Sequence, residues 1–255
     1  TTLFNLITGQ LKADGGRIVF KDEDLTGMPP YQICRKGISR SFQVVNIFSR
    51  LTVFENVRVA VISYNKDTFN FFAGVKDFAV SETENILKSV GLFEKAGRIS
   101  GSLSHGDQKV LEMAVALGNR PELLILDEPT TGQDRKNIDN IMDIMSEANR
   151  KGTTIILITH DMNLAAKYST RFVVMDHGEL VFQGSRSEFF RQFRQIRSSV
   201  LVLPEVYELA EKLRESGLDQ VPEAYTVQDF ANAVTSCQRD QPSTAPAAEV
   251  TGEVA

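Results

Sequence analysis

Apolar residues follow two rhythms along this chain. Near-continuous runs fill "ELLILDE" (122–128) and "TTIILITH" (153–160), with a helix expected over 136–150 between them. That pattern predicts two parallel strands buried on both faces and joined by a crossover helix. "RIVF" (17–20) predicts a short strand, and "PPYQICRKGISRSFQ" (29–43) a turn, a short helix and a strand ending near Gln43. A helical spacing then governs "LTVFENVRVAVISY" (51–64) and "SETENILKSVGLFEKAG" (81–97). The aromatic patch "FNFFAGVKDF" (69–78) between them belongs to the core or anchors a loop, with an interface as the other reading. "SLSHGDQKVLEMAVAL" (102–117) predicts a helix whose apolar side carries Val110, Leu111, Ala114, Val115 and Leu117. "RFVVMDHGELVFQG" (171–184) reads as a hairpin around a His-Gly turn. A helical segment follows residue 190, then an amphipathic helix in "LPEVYELAEKLRESG" (203–217) and a short one in "TVQDFANAV" (226–234), capped by Thr226. From Cys237 the chain is polar, small and proline-bearing, and is expected to be disordered.

The bulk numbers narrow the class. At 255 residues, 42% hydrophobic and 24% charged, the chain can bury a sizeable α/β core. A net charge of −5 supplies no global basic field for nucleic acid. Cys34 and Cys237 stand far apart, without metal-ligand spacing, and read as free thiols in a reducing compartment. No apolar run approaches the roughly 18–20 residues that a bilayer span needs. Leu3, Phe4 and Ile7 fall at helical spacing before Gly9. A chain opening inside such a helix is expected to have lost residues upstream.

The chemistry gathers at the ends of the buried runs. A parallel strand delivers its last residues to the carboxyl edge of its sheet, where α/β folds hold ligands. Asp127 and Glu128 reach that edge side by side, and buried carboxylates are costly without partners. An Asp there can serve Mg²⁺, and a neighbouring Glu can orient or deprotonate a water that attacks a phosphate. The alternative is two strand-end acids facing solvent. His160 ends the second run at the same edge and can hydrogen-bond a phosphate or the attacking water. Ser104 and Gly106, at the start of a helix, form an anion site or an ordinary cap, since Asp107 follows Ser104 by three. His105 and His177 read as surface residues.

Order then adds meaning: TT, Gln43 after "RSF", "LSHGDQ", "ILDEP", "TTGQD", "ITHD". The set resembles the nucleotide-binding subunits of ATP-binding cassette (ABC) transporters over residues 1 to about 190. The resemblance implies an α/β fold: a P-loop NTPase cassette with a RecA-like parallel-sheet core, spanning 1–190. It also implies an inserted helical subdomain at about 49–107, a helical extension over 191–236 and a tail from 237. It implies ATP and Mg²⁺ as cofactors, with Thr1 and Thr2 closing the phosphate-binding motif and Thr1, Gln43 and Asp127 serving the metal. Glu128 and His160 become the catalytic pair, Gln43 the Q-loop glutamine, Ser104 and Gly106 the signature motif, and Asp134 the D-loop aspartate. The implied partners are transmembrane permease subunits, a second cassette of the same or a different chain, and indirectly a substrate-binding protein. No nucleic acid is implied. The expected location is the cytoplasmic face of the membrane.

Departures from the pattern matter. His105 replaces the first glycine of the family's LSGGQ and Asp107 its glutamine, so Asp107 is doubtful as a direct ligand. Gln133 stands where an aliphatic residue is commoner in the D-loop. The glycines and lysine of the phosphate-binding loop are not in the sequence, and without them poor ATP binding is expected. "TTLFNLITG", "GRIVFKDEDLTGMPP", "KGISRSFQ" and "IFSRLTVFENV" look most like branched-chain amino acid importer ATPases. Urea-importer cassettes share a similar "LSHG", and the 203–234 stretch resembles the extension of cobalt-type and energy-coupling-factor cassettes. A soluble ABC ATPase acting on ribosomes or DNA is the reading from another class. A single set of motifs and no heptad run count against it.

Overall fold

The computed structural model describes residues 2–41, 45–64, 73–196, 201–217 and 224–239. It divides into two compact units, Thr1–His160 and Asp161–Ala255.

The first unit opens with α1 (Thr2–Ile7), which stops where Gly9 turns left-handed at φ +71°. A side chain at Gly9 would drive into the Met28 carbonyl, so only glycine fits that stop. A two-stranded ribbon follows, β1 (Val19–Phe20) against β2 (Glu23–Asp24), then α2 (Pro30–Arg35) with proline at its first turn. β3 (Ile38–Ser41) leads toward Gln43. α3 (Val53–Tyr64) starts in a reciprocal cap: the Glu55 amide donates to Thr52 Oγ1 at 3.1 Å, and the Thr52 amide to Glu55 Oε2 at 2.8 Å. α4 runs Ala73–Ser89, so the helix expected from Ser81 begins eight residues earlier and takes in the end of the aromatic patch. Residues 69–72 of that patch lie outside the described residues.

α5 (His105–Gly118), β4 (Leu123–Asp127), α6 (Arg135–Arg150) and β5 (Thr154–Ile158) complete the unit. Among the described residues the strands form a parallel sheet ordered β3-β4-β5. The central strand obeys the pleat. Leu124 and Leu126 join the large core with Val53, Val57, Leu87, Leu111 and Ile141. Ile125 packs on the opposite face with Ile33, Ile38, Phe4 and Ile7. Asp127, two residues on, shares that second face, beneath α1.

Two expectations about burial need correction. β5 was expected to be buried on both faces, yet Ile155 to Ile158 are only half-buried, because β5 is the edge of the described sheet. α5 is buried nearly all round rather than on one side: Met113 and Ala116 are buried, whereas Val115 and Leu117 are half-buried. Its buried Lys109 and Glu112 form an ion pair at 2.8 Å.

The second unit holds α7 (Met162–Tyr168), the antiparallel hairpin β6 (Arg171–Asp176) and β7 (Glu179–Ser185), and α8 (Arg186–Gln192). His177 and Gly178, both at positive φ, make the hairpin turn as expected. α9 (Glu205–Glu215) and α10 (Val227–Arg239) follow, with Thr226 capping α10 by accepting from the Asp229 amide at 3.1 Å. Stacked and edge-on rings of Phe172, Phe189, Phe190, Tyr207 and Tyr225 form the core of this unit. α10 runs through Arg239, so 237–239 are helical rather than the start of the expected tail, and residues 240–255 lie outside the described residues.

Candidate functional site

The carboxyl edge of the parallel sheet gathers three of the expected groups, Asp127, Glu128 and His160. Asp127 is 2% exposed, and its Oδ2 accepts from Arg40 Nη2 at 2.8 Å. Arg40 sits on the same face of β3, in register with Ile125. Its other terminal nitrogen donates to Asn5 Oδ1 on α1 at 2.5 Å. One guanidinium therefore ties α1, β3 and β4 together.

Glu128 leaves the strand by a different route. Its amide still donates to the Ile158 carbonyl at 3.0 Å, but its backbone turns left-handed at φ +46°. That conformation costs a non-glycine residue about 1–2 kcal/mol, and such strain clusters where function holds it. It brings Oε1 to 2.9 Å from His160 Nδ1, while Thr131 Oγ1 lies 3.4 Å from Oε2. His160 itself is exposed and follows the end of β5. The expected catalytic pair is thus in contact. Mg²⁺ and nucleotide are what the resemblance implies for the two adjacent acids, and partners within the chain are a further finding. Each has one: Arg40 for Asp127, His160 for Glu128.

The helix-start motif is built as a cap. Ser104 Oγ accepts from the Asp107 amide at 3.2 Å and donates to Asp107 Oδ2 at 2.9 Å. Lys95 donates to the same carboxylate oxygen at 2.7 Å. Desolvation is the largest single influence on Asp107 and raises its pKa. The hydrogen bonds from Lys95 and Ser104, with the fields of Lys95 and Arg98, outweigh it, and the net shift is downward. Asp107 is thus an anion whose charge is answered inside the chain.

Gly106 is buried against α6, and a methyl group there would collide with the Asn137 amide. Asn137 also donates to Asp134, its backbone to Oδ1 at 2.8 Å and its side chain to Oδ2 at 3.2 Å. Asp134 caps α6, and Asn137 connects it to Gly106. Thr2 is exposed at the start of α1, while Thr1 and Gln43 lie outside the described residues.

Arg40 and Asn137 escaped the sequence reading. Each acts through a partner distant in sequence or on another helix. The one available signal was a charged residue, Arg40, inside a segment expected to form a strand.

The family model for ABC transporter matches residues 1–131, across the sheet edge and the signature cap. This chain belongs to the ABC transporter family, as an ATPase subunit. The ATPase is 36% identical over 195 residues to the high-affinity branched-chain amino acid transport ATP-binding protein LivG of Escherichia coli K12, covering 72% of this chain and 76% of LivG. Its fold is similar to that of MJ1267, an ATP-binding cassette of an ABC transporter. The TM-score is 0.64 at 30% identity, covering 75% of this chain and 78% of that one. It is also similar to cbiO1 of Clostridium perfringens, part of the ABC transporter complex cbiONQ. There the TM-score is 0.65 at 26% identity, over 85% of this chain and 80% of that one. Among the described residues no helix of the ATPase is long and apolar enough to cross a membrane.

Proposed function

We propose that the ATPase powers import of branched-chain amino acids, as one half of a cassette dimer beneath two permease subunits. The observation that carries this reading is the likeness to LivG over 195 residues, a span that includes most of the cassette. In this reading residues 1–190 form the cassette, with a helical subdomain at about 49–107 that meets the permease. Residues 191–236 form an extension, which α10 carries on to Arg239, and a tail follows it. The dimer lies on the cytoplasmic face, and a substrate-binding protein acts on it through the permease.

The donor set fits Mg²⁺. A single buried carboxylate at a strand end suits a cation that keeps water and phosphate oxygens as most of its ligands. Asp127, with Thr1 and Gln43, would hold it, and Thr2 would line the same phosphate site. Bound Mg·ATP supplies the γ-phosphate that water attacks. Glu128 accepts the proton of that water, and the contact with His160 holds its carboxylate in place. Ser104 and Gly106 complete the nucleotide site of the other cassette, and Asp134 lines the seam between them.

Reconstituting the full-length protein with its permease and binding protein in vesicles tests the substrate. Leucine, isoleucine or valine should stimulate ATP hydrolysis. Stimulation by cobalt ions alone would instead favour the second reading, which follows the extension. That reading draws on the wider span matched by cbiO1, 85% of this chain.

A further inference from the structure

A guanidinium buried as deeply as Arg40, with its side chain 5% exposed, is an expensive choice for packing alone. An apolar residue of similar volume serves a core at least as well, and a buried ion pair by itself is weak evidence of stability. The location of Arg40 supplies the reason. β3 and β4 run parallel with Arg40 opposite Ile125, so Ile38, Arg40, Ile125 and Asp127 all face α1. From there the two ends of the guanidinium reach Asp127 Oδ2 and Asn5 Oδ1. One arm of the planar fork holds Oδ2 while the other is anchored on Asn5, a fixed spacing of two donors that a lysine, as a point charge, could not reproduce. Asn5 lies on the helix whose first turn carries Thr2, and Arg40 lies three residues before Gln43 on the strand that leads to it.

We propose that Arg40 is a positioning residue of the nucleotide site: its fork, anchored on Asn5, presents Asp127 to the nucleotide-bound cation in one fixed orientation. This rests on the reading of Asp127 as the metal-serving carboxylate. A cation brought to Asp127 meets a carboxylate already held at one oxygen, so little ordering remains to be done on binding. The same fork holds β3 and α1 in one frame. Outer-shell partners of this kind typically tune metal affinity by about 10–100-fold.

The test is an Mg²⁺ titration of trinitrophenyl-ATP binding, read by fluorescence in the full-length protein, with Asp127→Asn, Arg40→Lys and Asn5→Ala beside the parent. Asp127→Asn should abolish most of the Mg²⁺ dependence. If it does not, the metal assignment itself is wrong, whatever Arg40 does. With that control behaving as expected, Arg40→Lys should bind the probe in EDTA like the parent but need about tenfold more Mg²⁺. Asn5→Ala should shift the midpoint the same way by less. A parent-like midpoint in Arg40→Lys overturns the proposal. So does an equal loss of binding with and without Mg²⁺, which marks a purely structural role. Should Arg40→Lys fail to fold, Asn5→Ala decides, and a parent-like midpoint there overturns it.

Discussion

Nδ1 of His160 stands 2.9 Å from Oε1 of Glu128 across 32 residues of sequence. The contact exists because β4 and β5 finish in register, Asp127 beside Ile158. Glu128→Gln keeps the shape of the side chain and removes the proposed base. Turnover should fall at least about a hundredfold, while the ATP-bound dimer persists longer in gel filtration with ATP. Hydrolysis at the parent rate would remove Glu128 from its assigned role.

His160→Ala should lower kcat about tenfold or more and leave nucleotide affinity near the parent value, because the proposed base remains but loses its 2.9 Å contact with the ring. An unchanged kcat would show that Glu128 is held well enough by its backbone and Thr131.

Gly106 and Asn137 touch across two helices. Gly106→Ala forces the Asn137 amide aside and should cost about 1–3 kcal/mol in thermal or denaturant unfolding. Adding Asn137→Ala makes room and should return part of that loss. A double-mutant cycle with no coupling between the positions would contradict the contact.

Asp107 carries the pH prediction. Its folded-state pKa lies below the ordinary carboxylate value, so its contribution to stability is complete above the unfolded pKa and disappears as pH falls through the folded one. A side-chain carboxyl NMR titration should therefore give a midpoint under the usual Asp range. Lys95→Met should move that midpoint upward. If the midpoint does not change in the variant, the Lys95 contact at 2.7 Å is not what holds the shift.

Local signals in the sequence were legible where each acts over a few residues. The aliphatic run ending at Asp127, the Ser104 and Thr226 caps and the His177-Gly178 turn all depend on near neighbours, and all are in place. The partner of Asp127 was not legible, because it is set by strand register across 87 residues, and no local pattern encodes that. The half-exposure of β5 was hidden for a related reason: an apolar run looks the same whether its strand is central or at an edge. α4 begins early because residues 73–80 can extend a helix as well as join a loop, and the aromatic patch masked its start.

The left-handed backbone at Glu128 carries a wider consequence. Glycine adopts that geometry without strain, so Glu128→Gly would relieve local tension of about 1 kcal/mol while deleting the proposed base. If Glu128 is the base, a screen for robustness alone would drift toward dead enzyme at this position. On the proposed reading, stability and activity pull in opposite directions at this one backbone position.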